Sequence, residues 1–219
     1  IPAIKPLKTM APLQSLTFKQ QGVFDAICRE ISSNAESCNM SEWLLRGVTG
    51  SGKTLVYAHL IQFMISKKKP VILLIPEISL TPQFTEFFSQ RFDGVAVLHS
   101  GLTPKKKEEI WNACLMGELQ LVIGPRSAIF VPFKQLGMII IDEEHDQSYK
   151  QSSTPRYLTH DVAQERAKLQ GATLIYGSAT PLLDTYERIH NGTGHYLELN
   201  ERFHGGAMPS VTILDTKTS

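Results

Sequence analysis

One stretch, residues 47–54, constrains the fold of this chain more than any other. It reads G-V-T-G-S-G-K-T and fits the pattern G-x-x-x-x-G-K-[ST] without a mismatch. A short apolar run at residues 43–45 precedes it, and apolar residues at helical spacing follow it over residues 55–65. A strand, a loop and a helix in this order form the context in which the pattern binds phosphate. The sequence therefore predicts a phosphate-binding loop between a strand and a helix.

The residue types in this loop suit a nucleoside triphosphate and a magnesium ion. Glycines allow a tight turn in which successive backbone N–H groups point into one concavity, and the following helix N-terminus also favours anions. Lys53 is predicted to reach the β- and γ-phosphates, and the Thr54 hydroxyl is predicted to bind magnesium. The alternative, a glycine-rich turn with an accidental lysine, does not explain the strand and helix on either side. The predicted nucleotide-binding residues of the loop are Gly47, Thr49, Gly50, Ser51, Gly52, Lys53 and Thr54.

Composition excludes several classes of protein. The chain has 219 residues, 42% of them hydrophobic, which is enough for one sizeable α/β domain. A net charge of +1 gives no global basic field, so any nucleic-acid binding must be local. The three cysteines, Cys28, Cys38 and Cys114, form no C-x-x-C pair, which indicates neither a zinc cluster nor a disulfide framework and favours the cytoplasm. The apolar runs are too short to span a bilayer, so no membrane partner is expected.

The order of elements predicts the fold class. Apolar strands alternate with helical patterns along the chain, which is typical of a mainly parallel sheet sandwiched between helices. Residues 1–15, with three prolines, are predicted to be a lead-in linker, and residues 16–200 are predicted to be the domain. The start at Ile1 suggests a piece excised from a longer protein.

Two acids stand where a parallel sheet binds its ligands. Asp142 and Glu143 follow an apolar strand at residues 137–141, so they are expected at the carboxyl edge of the sheet. Asp142 is predicted to hold magnesium, and Glu143 is predicted to orient the attacking water and accept its proton. This pairing favours hydrolysis over transfer of the phosphoryl group to a metabolite. A small-molecule P-loop kinase remains an alternative, although it would leave residues 124–128 and 177–181 without a role.

Gln20 has two possible roles. Residues 17–20 read T-F-K-Q, the form of a capping box, which makes Gln20 the N3 cap of a helix. A glutamine upstream of a phosphate loop can instead read adenine through its paired donor and acceptor. The residues alone favour the cap.

Three motifs in sequence order resemble motifs I, II and III of superfamily-two helicases: residues 47–54, D-E-E-H at residues 142–145, and G-S-A-T-P at residues 177–181. More narrowly, G-P-R-S-A-I-F from Gly124, D-E-E-H-D-Q-S-Y-K-Q from Asp142 and P-R-Y further on are similar to the PriA family of bacterial replication-restart helicases. The resemblance covers nearly the whole chain. It implies a RecA-like P-loop NTPase domain, the first of two motor domains, which uses ATP and magnesium to move along DNA at stalled forks. Another superfamily-two duplex translocase or a restriction-type motor is the alternative within the same class.

The resemblance also implies roles for single residues. It makes Gln20 the adenine-recognising glutamine, and it makes residues 148–157 an aromatic-rich loop that couples single-stranded DNA binding to ATP hydrolysis. The residues implied to contact DNA or to couple it to the nucleotide site are Arg126, Ser127, Tyr149, Lys150, Arg156, Tyr157, Ser178 and Thr180. A binding module without catalysis is disfavoured, because Lys53, Asp142 and Glu143 are all present.

The family pattern extends beyond these residues. It implies that residues 201–219 are a linker and the start of a second motor domain, and that an arginine finger and zinc-binding cysteines lie elsewhere in a parent protein. It further implies branched and single-stranded DNA, other primosome proteins and single-strand-binding protein as partners. Without the arginine finger, residues 1–219 alone are expected to hydrolyse ATP poorly.

Overall fold

The computed structural model describes residues 11–34 and 39–201. The lead-in predicted for residues 1–15 is therefore described only from residue 11, and it has no regular secondary structure from there to residue 17. Its Ala11 N–H donates to the carbonyl of Gln90 over 3.1 Å. The predicted C-terminal linker lies outside the described residues except for residue 201.

A parallel sheet of seven strands forms the centre of the domain. The strand order is β3-β4-β2-β5-β8-β1-β9, and each neighbouring pair is parallel. Apolar runs without polar alternation fit such a sheet, because helices cover both of its faces. The predicted α/β class with a mainly parallel sheet is confirmed. The strands of this sheet are β1 (Ser41–Gly47), β2 (Val71–Leu74), β3 (Val95–Val97), β4 (Leu121–Gly124), β5 (Met138–Asp142), β8 (Thr173–Ser178) and β9 (His195–Leu199).

Helices pack on both faces of the sheet, and two hydrophobic clusters result. One cluster joins side chains of the first three helices to the sheet, and the other joins those of the fourth and fifth. Neighbouring strand residues enter opposite clusters, as Leu44 and Leu45 do, because strand side chains alternate between faces. No helix within the described ranges is both long and apolar enough to cross a membrane. The helices are α1 (Phe18–Ser33), α2 (Lys53–Ser66), α3 (Pro82–Ser89), α4 (Pro104–Met116), α5 (Thr159–Gln170) and α6 (Leu183–Arg188).

The predicted polar loop at residues 146–158 contains short regular elements. A 3-10 turn at Gln147–Tyr149 leads into β6 (Lys150–Gln151), which pairs antiparallel with β7 (Tyr157–Leu158). Two-residue strands are too short to leave a periodic pattern, so the sequence reads as loop there.

The sheet topology brings the three sequence motifs together. Strands β5, β8 and β1 are neighbours, and their parallel direction places all their carboxyl ends on one edge. Asp142 pairs in register with Gly177, and Arg46 pairs with Ser178. Residues far apart in sequence therefore meet at one edge of the sheet, where open α/β folds bind ligands.

Candidate nucleotide site and DNA-contacting surface

The phosphate-binding loop adopts the conformation that its glycines permit. Gly50 and Gly52 both have φ of 80°, in the left-handed region that disfavours other residues. Helix α2 begins directly at Lys53, and its N-cap Gly52 supplies no side-chain cap. The first N–H groups of the helix are consequently available to an anion.

Lys53 lies inside this loop. Its side chain is 7% exposed, and its Nζ donates to the Gly47 carbonyl over 2.9 Å. The Ser51 Oγ is buried without a hydrogen-bond partner, and a Cβ on Gly47 would lie only 2.6 Å from it. A buried cation and an unsatisfied hydroxyl around one tight loop fit a phosphate group, because both can donate to its oxygens.

Gln20 uses both ends of its amide. Its Oε1 accepts from the Thr17 N–H over 2.9 Å, and Thr17 in turn caps Gln20, so the predicted capping box is present. Its Nε2 donates to the Ser51 carbonyl in the phosphate loop over 2.9 Å. Gln20 thus contacts the phosphate loop while it caps α1. Recognition of adenine by this side chain remains a prediction.

Asp142 is held from two directions. Its Oδ1 accepts from the Tyr57 hydroxyl over 3.0 Å, and its backbone carbonyl accepts from the Tyr149 hydroxyl over 2.6 Å. Burial, and then the neighbouring charge of Glu143, raise the pKa of Asp142 to about 6, against the opposing effect of Lys53. Gly177 leaves room for this contact, since a Cβ there would lie 1.7 Å from the Tyr57 hydroxyl oxygen.

Glu143 faces the same space from an unusual backbone conformation. Its φ of 47° lies in the left-handed region, where a residue with a side chain is uncommon. One carboxylate oxygen lies 3.6 Å from Lys53 Nζ, and the other lies 3.6 Å from His145 Nδ1. His145 Nδ1 lies in turn 2.7 Å from Ser178 Oγ. The carboxylate is therefore directed toward the phosphate loop and linked to the end of β8.

The phosphate loop, Asp142 and Glu143 line one cavity of about 380 Å³, and the predicted nucleotide-binding residues Gly47 and Gln20 are not part of that lining. Its lining includes two residues that the sequence analysis did not single out, Gln14 before α1 and Phe87 on α3. Neither residue belongs to a recognisable motif, so no signal in the sequence pointed to them. The lining predicted from sequence and found here is Thr49, Gly50, Ser51, Gly52, Lys53, Thr54, Asp142 and Glu143.

A second, larger cavity of about 570 Å³ lies beside the short hairpin that β6 and β7 form. Arg126 closes one side of it: its Nη1 donates to the Ser148 carbonyl over 2.6 Å and lies 3.4 Å from that of Lys150. Ser127 is exposed at the rim, and Tyr157 lies half-buried with its ring edge-on to Phe130 at 5.1 Å. Arg126 thus binds the backbone of the loop that is predicted to contact DNA. Contact of Arg126 itself with DNA remains a prediction.

The loop residues predicted to meet DNA divide into two groups. Lys150 and Arg156 are exposed, as phosphate contacts require. Tyr149 is only 1% exposed and belongs to the hydrophobic core, so its ring offers no face on which a DNA base could stack. A role for Tyr149 in coupling DNA binding to hydrolysis stays a prediction. Its hydroxyl instead reaches Asp142, as described above. The burial follows from the 3-10 turn, which points the ring inward.

Ser178 and Thr180 also differ in exposure. Ser178 is buried, and its hydroxyl accepts from the Thr180 N–H over 3.0 Å, whereas Thr180 is exposed. Of these two residues, only Thr180 can therefore contact a bound DNA strand. That Ser178 couples DNA binding to the nucleotide site remains a prediction.

Comparison with known proteins places this geometry in a family. The family model described as DEAD/DEAH box helicase matches residues 19–189. Replication restart protein PriA of Bacillus subtilis (strain 168) is 44% identical over 214 residues, which cover 97% of this chain and 26% of that protein. The chain thus spans about a quarter of the length of that curated relative.

Solved structures agree on the fold. The Pyrococcus furiosus Hef helicase domain matches with a TM-score of 0.60 and 20% identity, over 85% of this chain and 38% of that one. RecG bound to a three-way DNA junction matches with a TM-score of 0.55 and 25% identity, over 84% of this chain and 24% of that one. The fold is therefore the RecA-like fold of superfamily-two helicases. The chain belongs to the DEAD/DEAH box helicase family, within which it is similar to replication restart proteins of the PriA type.

Proposed function

We propose that residues 16–200 form the first motor domain of an ATP-dependent DNA helicase that acts in replication restart. One observation carries this proposal: Lys53, Thr54, Asp142 and Glu143 line a single cavity at the carboxyl edge of the sheet. Helicase family membership implies the use of ATP with magnesium in general. The name of the PriA relative supports restart as the process, and the RecG complex supports branched DNA as the substrate.

The residues that line the cavity have separate roles in the proposed hydrolysis. Lys53 neutralises the β- and γ-phosphates, while Gly50, Gly52 and the start of α2 present N–H groups to them. Thr54 and Asp142 hold magnesium, which when bound neutralises charge on the phosphates. Tyr57 orients Asp142 through its hydroxyl.

Glu143 is the group that acts on water in this proposal. Its carboxylate orients the attacking water in line with the γ-phosphorus atom and accepts the proton that the water loses. In the family pattern, Gln20 recognises adenine. Its hydrogen bond to the Ser51 carbonyl places it next to the phosphate loop.

The DNA-binding part of the proposal rests on local charge. Lys150 and Arg156 are exposed on the β6–β7 hairpin, which follows the acidic turn at residues 142–145. Ser127 and Thr180 are also exposed, and Tyr157 is half-buried. Such cations meet backbone phosphates without selecting a sequence, which suits a motor that moves along any strand. Other primosome proteins and single-strand-binding protein, a zinc site and a second motor domain belong to the same proposal through the family alone.

A nucleotide-binding experiment tests the central assignment. In the full-length protein, Lys53→Ala is expected to weaken ATP–magnesium binding by about tenfold or more, because a hydrogen bond from a charged group typically contributes about 1.5–3 kcal/mol. A fluorescent ATP analogue titrated against both proteins measures the change. Lys134→Ala, which removes an exposed cation ahead of β5, is the matched control and should bind like the parent. Equal affinity of Lys53→Ala and the parent would contradict the assigned site.

The hairpin cations provide a second test. The double variant Lys150→Ala with Arg156→Ala is expected to weaken single-stranded DNA binding about equally for different sequences. The slope of log affinity against log salt should fall by about one to two, since each lost phosphate contact removes about one counterion release. Fluorescence anisotropy at several salt concentrations measures both quantities. Lys134→Ala with Lys168→Ala removes the same number of exposed cations elsewhere. A slope that is unchanged, or that falls equally in this control, would rule out the hairpin as the contact surface.

A further inference from the structure

A buried carboxylate next to the catalytic turn is not used by the chemistry described above. Glu144 directly follows Glu143, its side chain is 0% exposed, and it does not line the nucleotide cavity. Its Oε1 accepts from the Leu182 N–H over 2.6 Å, and its Oε2 accepts from the Thr185 hydroxyl over 3.1 Å. Its backbone N–H donates to the Gly177 carbonyl over 3.1 Å. Glu144 thereby ties the acidic turn to the segment that follows β8.

His160 is the remaining partner of this carboxylate. Its Nε2 lies 2.9 Å from Glu144 Oε2, and its ring stacks on Tyr176 at 5.6 Å with an interplanar angle of 8°. The edge of Tyr149 meets the same ring at 5.9 Å and 89°. His160 is itself buried, and its Nδ1 has no hydrogen-bond partner. The ring is thus fixed by packing, and Glu144 is the group that its Nε2 contacts.

The contacts make the two ends of the hairpin converge on the acidic turn. At the first end, the Tyr149 hydroxyl donates to the Asp142 carbonyl over 2.6 Å. At the second end, Thr159 donates to the Tyr149 carbonyl over 2.7 Å, and the next residue, His160, contacts Glu144. A displacement of the exposed hairpin therefore acts on residues on both sides of Glu143.

A purely structural explanation of this network is weak on energetic grounds. Removing a carboxylate from water is costly, and apolar residues of similar volume often stabilise a fold as well as a buried ion pair does. Buried polar networks are best explained when they fix one arrangement of the groups around them. Here the network holds Asp142 and Glu144, the residues on either side of Glu143, whose left-handed backbone must be held by its neighbours.

We propose that Glu144 and His160 are positioning residues that transmit DNA binding on the hairpin to the carboxylate of Glu143. The inference rests on the proposed function, because it concerns how that hydrolysis is stimulated. It differs from the His145–Ser178 contact, in which the exposed His145 ring meets the buried Ser178 hydroxyl and joins the same turn to β8. Neither Glu144 nor His160 touches the nucleotide site in this scheme.

The test compares turnover with and without single-stranded DNA in the full-length protein. His160→Phe keeps an aromatic ring between the two tyrosines and removes the nitrogen that faces Glu144. The ratio of DNA-stimulated to unstimulated kcat is expected to fall about fivefold or more, the lower range of coupling between sites. The KM for ATP should stay within about twofold of the parent value, because the nucleotide contacts are intact. His160→Gln, which retains a donor for Glu144, should recover part of the ratio.

Controls separate this role from folding and from the proposed function. His190→Phe changes an exposed histidine beyond α6 and should leave the ratio unchanged. If His160→Phe does not fold, Glu144→Gln replaces it, since the amide keeps an oxygen for the Leu182 N–H and loses the charge facing His160. An unchanged ratio in the folded variant overturns the inference, as does a loss of activity that merely follows a loss of stability. A parent protein whose hydrolysis DNA does not stimulate would overturn the proposed function itself.

Discussion

Replacing Glu143 by glutamine is expected to reduce ATP turnover of the full-length protein by about 100-fold or more, the range that a lost general base typically costs. Nucleotide affinity should change little, because the phosphate contacts belong to Lys53 and the loop around it. The variant keeps the size of the side chain and one oxygen, yet it cannot accept the proton of the attacking water. Steady-state hydrolysis and a fluorescent-nucleotide titration measure the two quantities separately.

The geometry makes this variant informative about the neighbouring lysine. Glu143 lies 3.6 Å from Lys53 Nζ, so the change also removes a negative charge that competes with phosphate for the lysine. Nucleotide affinity should therefore stay equal or rise slightly. Glu108→Gln, an exposed glutamate on α4, is the matched control and should hydrolyse at the parent rate. Turnover by Glu143→Gln at the parent rate would show that another group activates the water.

The residues that line the candidate nucleotide site could be predicted because their signals are local. Residues 47–54 match a pattern in which every fixed position has a steric or chemical cause, and Asp142 follows an uninterrupted apolar strand. A parallel sheet then places strand ends on one edge, which brings these two regions together without any further information. The cavity that Lys53, Asp142 and Glu143 share is where the sequence predicted it.

The residues that hold these groups in place could not be predicted in the same way. Tyr57 lies in helix α2, where a buried tyrosine is expected to be a core residue, and its hydrogen bond to Asp142 depends on the space that Gly177 leaves for its hydroxyl. Glu144 reads as one more acid of an exposed turn, although it is fully buried. Its burial depends on partners such as His160 and Thr185, which are distant in sequence and match no pattern.

Of the two sequence interpretations of Gln20, the structure confirms the helix cap. The capping-box pattern and the family pattern assigned this side chain different roles, and each had a physical reason. In the structure the Oε1 caps α1 and the Nε2 contacts the Ser51 carbonyl. The cap thus places the glutamine against the phosphate loop, with both ends of its amide engaged, and recognition of adenine by this side chain stays a prediction.

Tyr149→Ala is expected to destabilise the protein by about 3–5 kcal/mol, the range typical of large aromatic residues replaced by alanine in a core. The reason is the burial of the ring, which packs against His160 and leaves 1% of the residue exposed. Tyr149→Phe keeps the ring and loses only the bond to the Asp142 carbonyl, so it should cost about 1 kcal/mol. Urea denaturation of both variants measures the free energies of unfolding.

The pair of variants also separates packing from coupling. Because Tyr149→Phe retains the core, any fall in its DNA-stimulated kcat relative to its unstimulated kcat must come from the lost hydroxyl at Asp142. We expect such a fall, since that hydroxyl joins the first end of the hairpin to the acidic turn. Tyr186→Ala, at a tyrosine 38% exposed on α6, is the control and should be far less destabilising. If Tyr149→Ala unfolds like the parent protein, the ring is not buried in solution, and contact of this tyrosine with DNA bases becomes possible again.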